Sequence, residues 1–223
     1  MAFGMGNDMN RKKIFAVTFI FIFLTILDFN VLAWDNQVTH RDLSEYAAEN
    51  SVIGKNKGDY LKNFGFNNAL DDSLTWGGNT QKIRNWIRDG ADFEDAGNYG
   101  DMATGRGRSY NHFHNPLKQY PWTDAGLDDW IALPPFHTTG ESSIIWAQDS
   151  VTQSASVGGD WSWQNVRALY YYALTAQTET DRQMYFANTF DGLGHQMHLI
   201  QDASQPDHVR NDITTISNNL NEV

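Results

Sequence analysis

Apolar positions recur at helical spacing in several separate windows along the chain, and strict alternation of apolar and polar residues is nearly absent. The first window holds Leu43, Tyr46 and Ala47 and runs to about Asn50. Thr39-His40-Arg41-Asp42 ahead of it has the form of a capping box, and Gly54 ends the pattern. Residues 51–79 are rich in Asn, Gly and Asp and predict loops, with room for one short helix near Asp59 to Phe64. Thr80 then offers a cap for a second helix, whose stripe of Ile83, Trp86 and Ile87 extends to about Phe93 and is weakened near its end by Gly90. From Glu94 to Gly140 the chain carries four of its five prolines and no sustained period, so a long loop region is predicted. Three more helices follow: Glu141 to about Gln153 around Ile144 and Ile145, Ser162 to Ala176 around Val166 and Leu169, and Thr180 to Ala203 around Phe186, Phe190 and Leu199. Pro206 closes the last. The pattern predicts an all-α, multi-helix fold with long loops and without internal repeats.

Composition narrows the chemistry. At 223 residues the chain suits one main domain, and 41% hydrophobic with 13% aromatic residues is too rich a core supply for a disordered polymer. The 16 Lys and Arg stand against 27 Asp and Glu, a net charge of -11, which leaves no basic groove for gripping long nucleic acids. Stable binding of duplex DNA is therefore not expected. With no cysteine, disulfides, thiolate nucleophiles and cysteine zinc sites are excluded. Any metal must rest on His, Asp, Glu or the backbone.

The N-terminus reads as an address. Arg11, Lys12 and Lys13 precede a run from Ile14 to Leu27 that is apolar apart from two threonines, and Val31-Leu32-Ala33 presents small or aliphatic residues where a signal peptidase reads. The run falls short of the roughly 20 residues that span a bilayer. Residues 1–33 are thus expected to be a signal peptide cleaved after Ala33, giving a secreted or periplasmic chain that begins at Trp34. Cleavage makes the net charge one unit more negative than the -11 of the whole, because three cations and two anions leave.

The densest chemistry lies in Gly194-His195-Gln196-Met197-His198-Leu199-Ile200-Gln201-Asp202, followed by Pro206 and His208. On a helix His198 and Asp202 share a face at i and i+4, and His195 joins them at i-3. Taken alone, that spacing equally describes an ion pair on a solvated stripe. Its company points to a metal. His112 and His114 stand in the proline-punctuated loop region, and Asp92, Glu94 and Asp95 cluster at the end of the second helix, where the macrodipole disfavours negative charge unless a cation answers it. His40 falls in the first turn of its helix, where the same dipole favours the neutral imidazole that ligates metals.

Trp34, Thr39-His40, Ala91-Asp92-Phe93-Glu94, His112-Phe113-His114-Asn115-Pro116 and Gly194-x3-His198-x3-Asp202-x3-Pro206-x-His208 occur in an order and spacing that resembles the secreted zinc-dependent phospholipases C and their relatives, the single-strand-specific nucleases. The resemblance runs from Trp34 to His208. It implies a helical fold around a zinc cluster that hydrolyses phosphate esters. Carried over by position, it implies one zinc on Asp92, His112, His198 and Asp202, and a second on the α-amino group and carbonyl of Trp34, on His40 and on a bridging Asp202. A third would use His208 with a later His and Glu. No His follows His208, and Glu222 has none ahead of it, so that site is expected to be incomplete and the domain to lack its C-terminal part. Where the family has an aromatic residue and Asp, this chain has His114 and Asn115.

The expected activity is that of a zinc-dependent phosphodiesterase with two or three zinc ions. A zinc-activated water attacks phosphorus, and Asp92 orients or deprotonates it. Arg106, Arg108 and His195 are candidates for contacting the substrate. A phospholipid head group, with the membrane serving only as substrate surface, suits the acidic chain better than single-stranded nucleic acid. A nuclease of the same fold and an inactive zinc-binding fragment are the alternatives.

Overall fold

The computed structural model describes residues 36–95, 107–127, 130–133 and 136–210, all within the unit Trp34–Val223. These residues are mostly helical, in line with the all-α expectation, and add two small antiparallel hairpins. None of the described helices is long and apolar enough to cross a membrane. The expected signal peptide, residues 1–33, lies outside the described residues, as do Trp34 and Arg106.

A π-helical turn, Asn36–His40, runs straight into α1 (Arg41–Asn50). Helical backbone is already in place at Thr39, so the capping box is not used: the residue ahead of α1 is His40, itself helical and making no side-chain cap. Helix α2 (Lys55–Lys62) follows, longer than the short helix expected there. The chain then turns back on itself. Strand β1 (Ser73–Trp76) pairs with β2 (Asn79–Lys82) in the register Ser73↔Lys82 to Trp76↔Asn79. Gly77 and Gly78 link them with φ of 58° and 82°, the left-handed pair that a two-residue hairpin turn needs. Thr80 therefore bonds across the hairpin to Thr75, 2.8 Å between hydroxyls, and caps no helix. Helix α3 (Ile83–Phe93) starts from an extended Lys82.

Further on, β3 (Trp130–Leu133) pairs with β4 (Phe136–Thr138) inside the segment expected to be loop. The single helix expected over Glu141–Gln153 is two, α4 (Ser143–Trp146) and α5 (Ser150–Ala155). Asp149 divides them, because its carboxylate accepts the N–H groups of Val151 and Thr152 and begins a new helix there. Ser162 caps α6 (Trp163–Thr175) and Thr178 caps α7 (Glu179–Asp202), both close to the expected boundaries. Pro206 ends nothing by itself: it opens α8 (Pro206–Arg210), where its missing N–H has no consequence.

The core forms where α3 lies on α7. Ile83, Ile87 and Trp86 meet Phe186, Ala187 and Phe190, and Phe66 stands edge to face against Phe186 and Phe190, which stack on each other. Two glycines fix how close the helices come. A Cβ on Gly90 would stand 1.9 Å from the carbonyl oxygen of Asp191, and one on Gly194 would stand 2.1 Å from that of Ile87. The crossing is backbone against backbone. One turn further along, it brings the end of α3 against His198 of α7.

Candidate metal centre

At the crossing, His198 donates from Nδ1 to the carbonyl of Ala91 at 2.5 Å. That bond orients the ring and turns Nε2 inward, 3.0 Å from Asp202 Oδ2 one turn later on α7 and 3.5 Å from Asp95 Oδ2 just beyond α3. His198 and Asp202 are each 1% exposed. His198 Nε2 and Asp202 Oδ2 make no hydrogen bond despite their proximity. A buried nitrogen and oxygen held this close without an aligned hydrogen bond are costly unless something else satisfies both.

Other elements converge on the same carboxylate. His40, at the start of α1, sits with Nε2 3.5 Å from Asp202 Oδ1, while its Nδ1 lies 2.9 Å from Oε1 of Gln201. Gln201 in turn donates to Ser44, and the ring of His40 stacks on that of His198 at 3.9 Å. His112 follows the short 3-10 turn Ser109–Asn111 and places Nδ1 2.8 Å from Asp202 Oδ2 and 3.3 Å from Asp95 Oδ1. His208 of α8 reaches to 3.9 Å from Asp202 Oδ1, with Phe113 stacked on its ring at 4.7 Å. Three overlapping groups result, His40–His198–Asp202, Asp95–His112–His198 and His112–Asp202–His208, each with ligand atoms within 4.8 Å of one another. These buried His and Asp groups could hold a metal ion. Imidazole and carboxylate without thiolate, with the outer nitrogens of His40 and His198 already bonded, form a donor set of the kind that holds a divalent cation.

Charge is arranged to match. Burial alone would pull His112 and His198 down, but Asp202 beside both outweighs it and holds them up at about 10 and about 9. Burial would likewise raise Asp202, yet the imidazoles of His198, His208 and His112 keep it well below the usual carboxylate range. Asp95 is raised by burial, and His40 is pushed down to about 3 by burial and then by the neighbouring His198. The carboxylates attract positive charge to this point, and a metal ion would supply it in place of protons.

The structure thus brings together His40, His112, His198, Asp202 and His208. Asp92 does not join them. It lies inside α3, with its carboxylate 3.1 Å from Arg41 Nη1, while Asp89 takes the other end of the same guanidinium at 2.9 Å. The acid that faces the cluster is Asp95, placed past the end of α3 by a turn in which its N–H donates to Asp92 O at 3.3 Å. Of these acids it is Asp95, and not the expected Asp92, that lies with the groups able to hold a metal.

Arg108 and His195 are also placed differently from the expectation that they face substrate. Arg108 is fully buried. Its Nε and Nη2 donate to Glu94 at 3.0 and 2.8 Å, and its remaining donors go to Gly159 O, Val157 O and Gln153. His195 is stacked flat on Trp161 at 4.8 Å and has Nδ1 2.5 Å from Glu94 Oε2. Trp146 donates to the other oxygen of Glu94 at 2.7 Å, and His112 Nε2 stands 3.7 Å from it. Burial would raise the Glu94 carboxyl, but Arg108 first, then His112 and His195, hold it far below the ordinary range. This ionic knot braces the back of His112 and anchors the loop that carries it. His114, the departure from the family pattern, turns away and bonds Ser142 at 2.8 Å.

The roles of Glu94 and Gln201 are not among those the residue order predicts. Gln201 carries a usable signal, since it sits three residues after His198 and so falls on the ligand face. Comparisons with family models, with curated proteins and with solved structures returned no match.

Proposed function

We propose that the chain is a zinc-dependent phosphodiesterase of the phospholipase C type, in which Asp202 would be the carboxylate shared by two ions. The observation that carries this reading is the position of the Asp202 carboxylate, buried among His40, His112, His198 and His208 with Oδ2 lacking a hydrogen bond. The same four histidines and Asp202 are the positions at which the sequence resembles that family.

His40 and Asp202 would hold one ion, with Asp95, His112 and His198 holding the other. Zinc would supply an acidified water and positive charge against the phosphoryl oxygens. The protein groups divide the remaining work. Asp202 is enclosed and acts as a fixed negative centre. Asp95, with 18% of its side chain exposed, is the carboxylate open to an incoming water and takes its proton. His208, with 27% exposed, stands at the open side and can meet a phosphate oxygen. A single anionic phosphodiester is favoured over a polyanion, because the chain carries a net charge of -11.

Metal analysis of dialysed protein, with turnover of a phosphocholine ester and of single-stranded DNA, tests the proposal. Bound zinc with chelator-sensitive ester hydrolysis supports it. Hydrolysis of DNA alone moves the reading to a nuclease of the same chemistry, and zinc without turnover to an inactive metal-binding chain. Protein that takes up no metal ends both the phosphodiesterase reading and the centre.

A further inference from the structure

A second feature lies at the other end of α7. A cavity of about 400 Å³ opens between α2, α6 and the N-terminal half of α7, within the size range of small-molecule sites. Its floor is made by Leu61, Val166, Phe186 and Phe190, all buried, with Phe64 and Leu193 on the walls. Its mouth is marked by exposed lining residues, Val52, Tyr60, Trp163 and Arg167.

The polar groups on this lining are satisfied by the protein, apart from the exposed indole N–H of Trp163 and the guanidinium of Arg167. Thr189 donates to Tyr185 O at 2.7 Å, and the hydroxyls of Tyr60 and Tyr170 bond each other at 3.1 Å. Arg167 has no ion-pair or hydrogen-bond partner among the described residues. Arg41, Arg84, Arg88, Arg108 and Arg182, by contrast, each engage a carboxylate or a carbonyl. The interior therefore asks for an unbranched apolar body, and the mouth for an anion. One guanidinium offers one planar fork, which matches a carboxylate of single charge. A phosphomonoester carries nearly twice that charge and would need further donors.

We infer that this cavity binds a free fatty acid, its alkyl chain enclosed by Leu61, Phe64, Phe186 and Leu193 and its carboxylate on Arg167. The site is independent of the metal centre and of the activity proposed for it.

The test is displacement of a fluorescent polyene fatty acid from the purified protein, with laurate, dodecanol and lauroyl lysophosphatidate as competitors. Laurate should displace the probe at concentrations about tenfold lower than dodecanol, the weight of one charge-assisted contact. Arg167→Glu should weaken laurate about tenfold at an unchanged melting temperature, since the residue is exposed and unpaired. Ile53→Trp, which narrows the cavity, should weaken laurate and dodecanol alike. The inference is overturned if the probe does not bind, if the acid and the alcohol compete equally, if Arg167→Glu leaves laurate unaffected, or if the lysophosphatidate outcompetes laurate.

Discussion

His198 Nε2 and Asp202 Oδ2 lie 3.0 Å apart on successive turns of one helix, and neither atom makes a hydrogen bond. On a solvated surface the same spacing would be an ordinary ion pair worth a few tenths of a kcal/mol, roughly. Here both residues are 1% exposed, and His40, His112, His208 and Asp95 crowd the same point from four other places in the chain. Ligand atoms assembled from so many elements, with the outer nitrogens of His40 and His198 already tied down, could hold a cation as a solvated stripe would not.

Replacing the shared carboxylate should therefore empty the site altogether. Asp202→Asn keeps the shape of the side chain and removes the charge that all three ligand groups depend on or neighbour. Elemental analysis of the dialysed variant should find both ions gone. Retention of one full equivalent would show that Asp202 does not bridge.

Asp95 and Asp92 give a sharper discrimination, because they differ by one turn and by partner. Asp95→Asn should lower metal affinity by about 10- to 100-fold or more, measured by chelator competition. Asp92→Asn should leave metal binding intact and cost less than about 1 kcal/mol of stability, the worth of a partly exposed pair with Arg41. The reverse ranking would restore Asp92 as ligand.

The contrast shows what could and could not be read from residue order. Helices α6 and α7 were legible because each joins a strong apolar period to a Ser or Thr cap. The five residues His40, His112, His198, Asp202 and His208 were legible because their types and order carry chemistry. Asp95 was not, since choosing it over Asp92 depends on where the last turn of α3 ends, which periodicity fixes only to within a residue or two. Arg108 was not, because its partner Glu94 lies in another element and a buried pairing leaves no local trace. The first hairpin was signalled by Gly77-Gly78 between two short segments, a turn that helical spacing alone overlooks.

Gly90 and Gly194 link the core to the centre, so each should resist substitution. Alanine would ordinarily favour a helix by about 1 kcal/mol over glycine. Here its Cβ would stand 1.9 or 2.1 Å from a carbonyl oxygen of the facing helix, and the helices must part. Gly194→Ala should destabilise by about 2 kcal/mol net in denaturant unfolding and weaken metal binding as well, because Ala91 and His198 separate. Unchanged stability and unchanged metal affinity would mean that the crossing is looser than described.

Asp191 should make stability fall with rising pH. Burial, and then the nearby Asp89, push its carboxyl up to about 8 from an ordinary 3.8. The folded chain thus keeps a proton that the unfolded chain releases near pH 4. Its contribution is fully present below that point, declines as pH rises, and is lost once pH passes about 8. The neighbourhood is consistent with a protonated acid: His195 Nε2, buried and without a hydrogen bond, stands 3.9 Å from Asp191 Oδ2, and burial keeps this imidazole low, at about 4, hence neutral. Asp191→Asn cannot ionise, so the part of the pH slope that belongs to this group should vanish. Unfolding of the metal-free protein at pH 5 and pH 9 measures it. The variant's advantage over the natural chain should be larger at pH 9 than at pH 5 by something on the order of a few kcal/mol. Equal slopes in the two proteins would show that Asp191 is ionised in the fold.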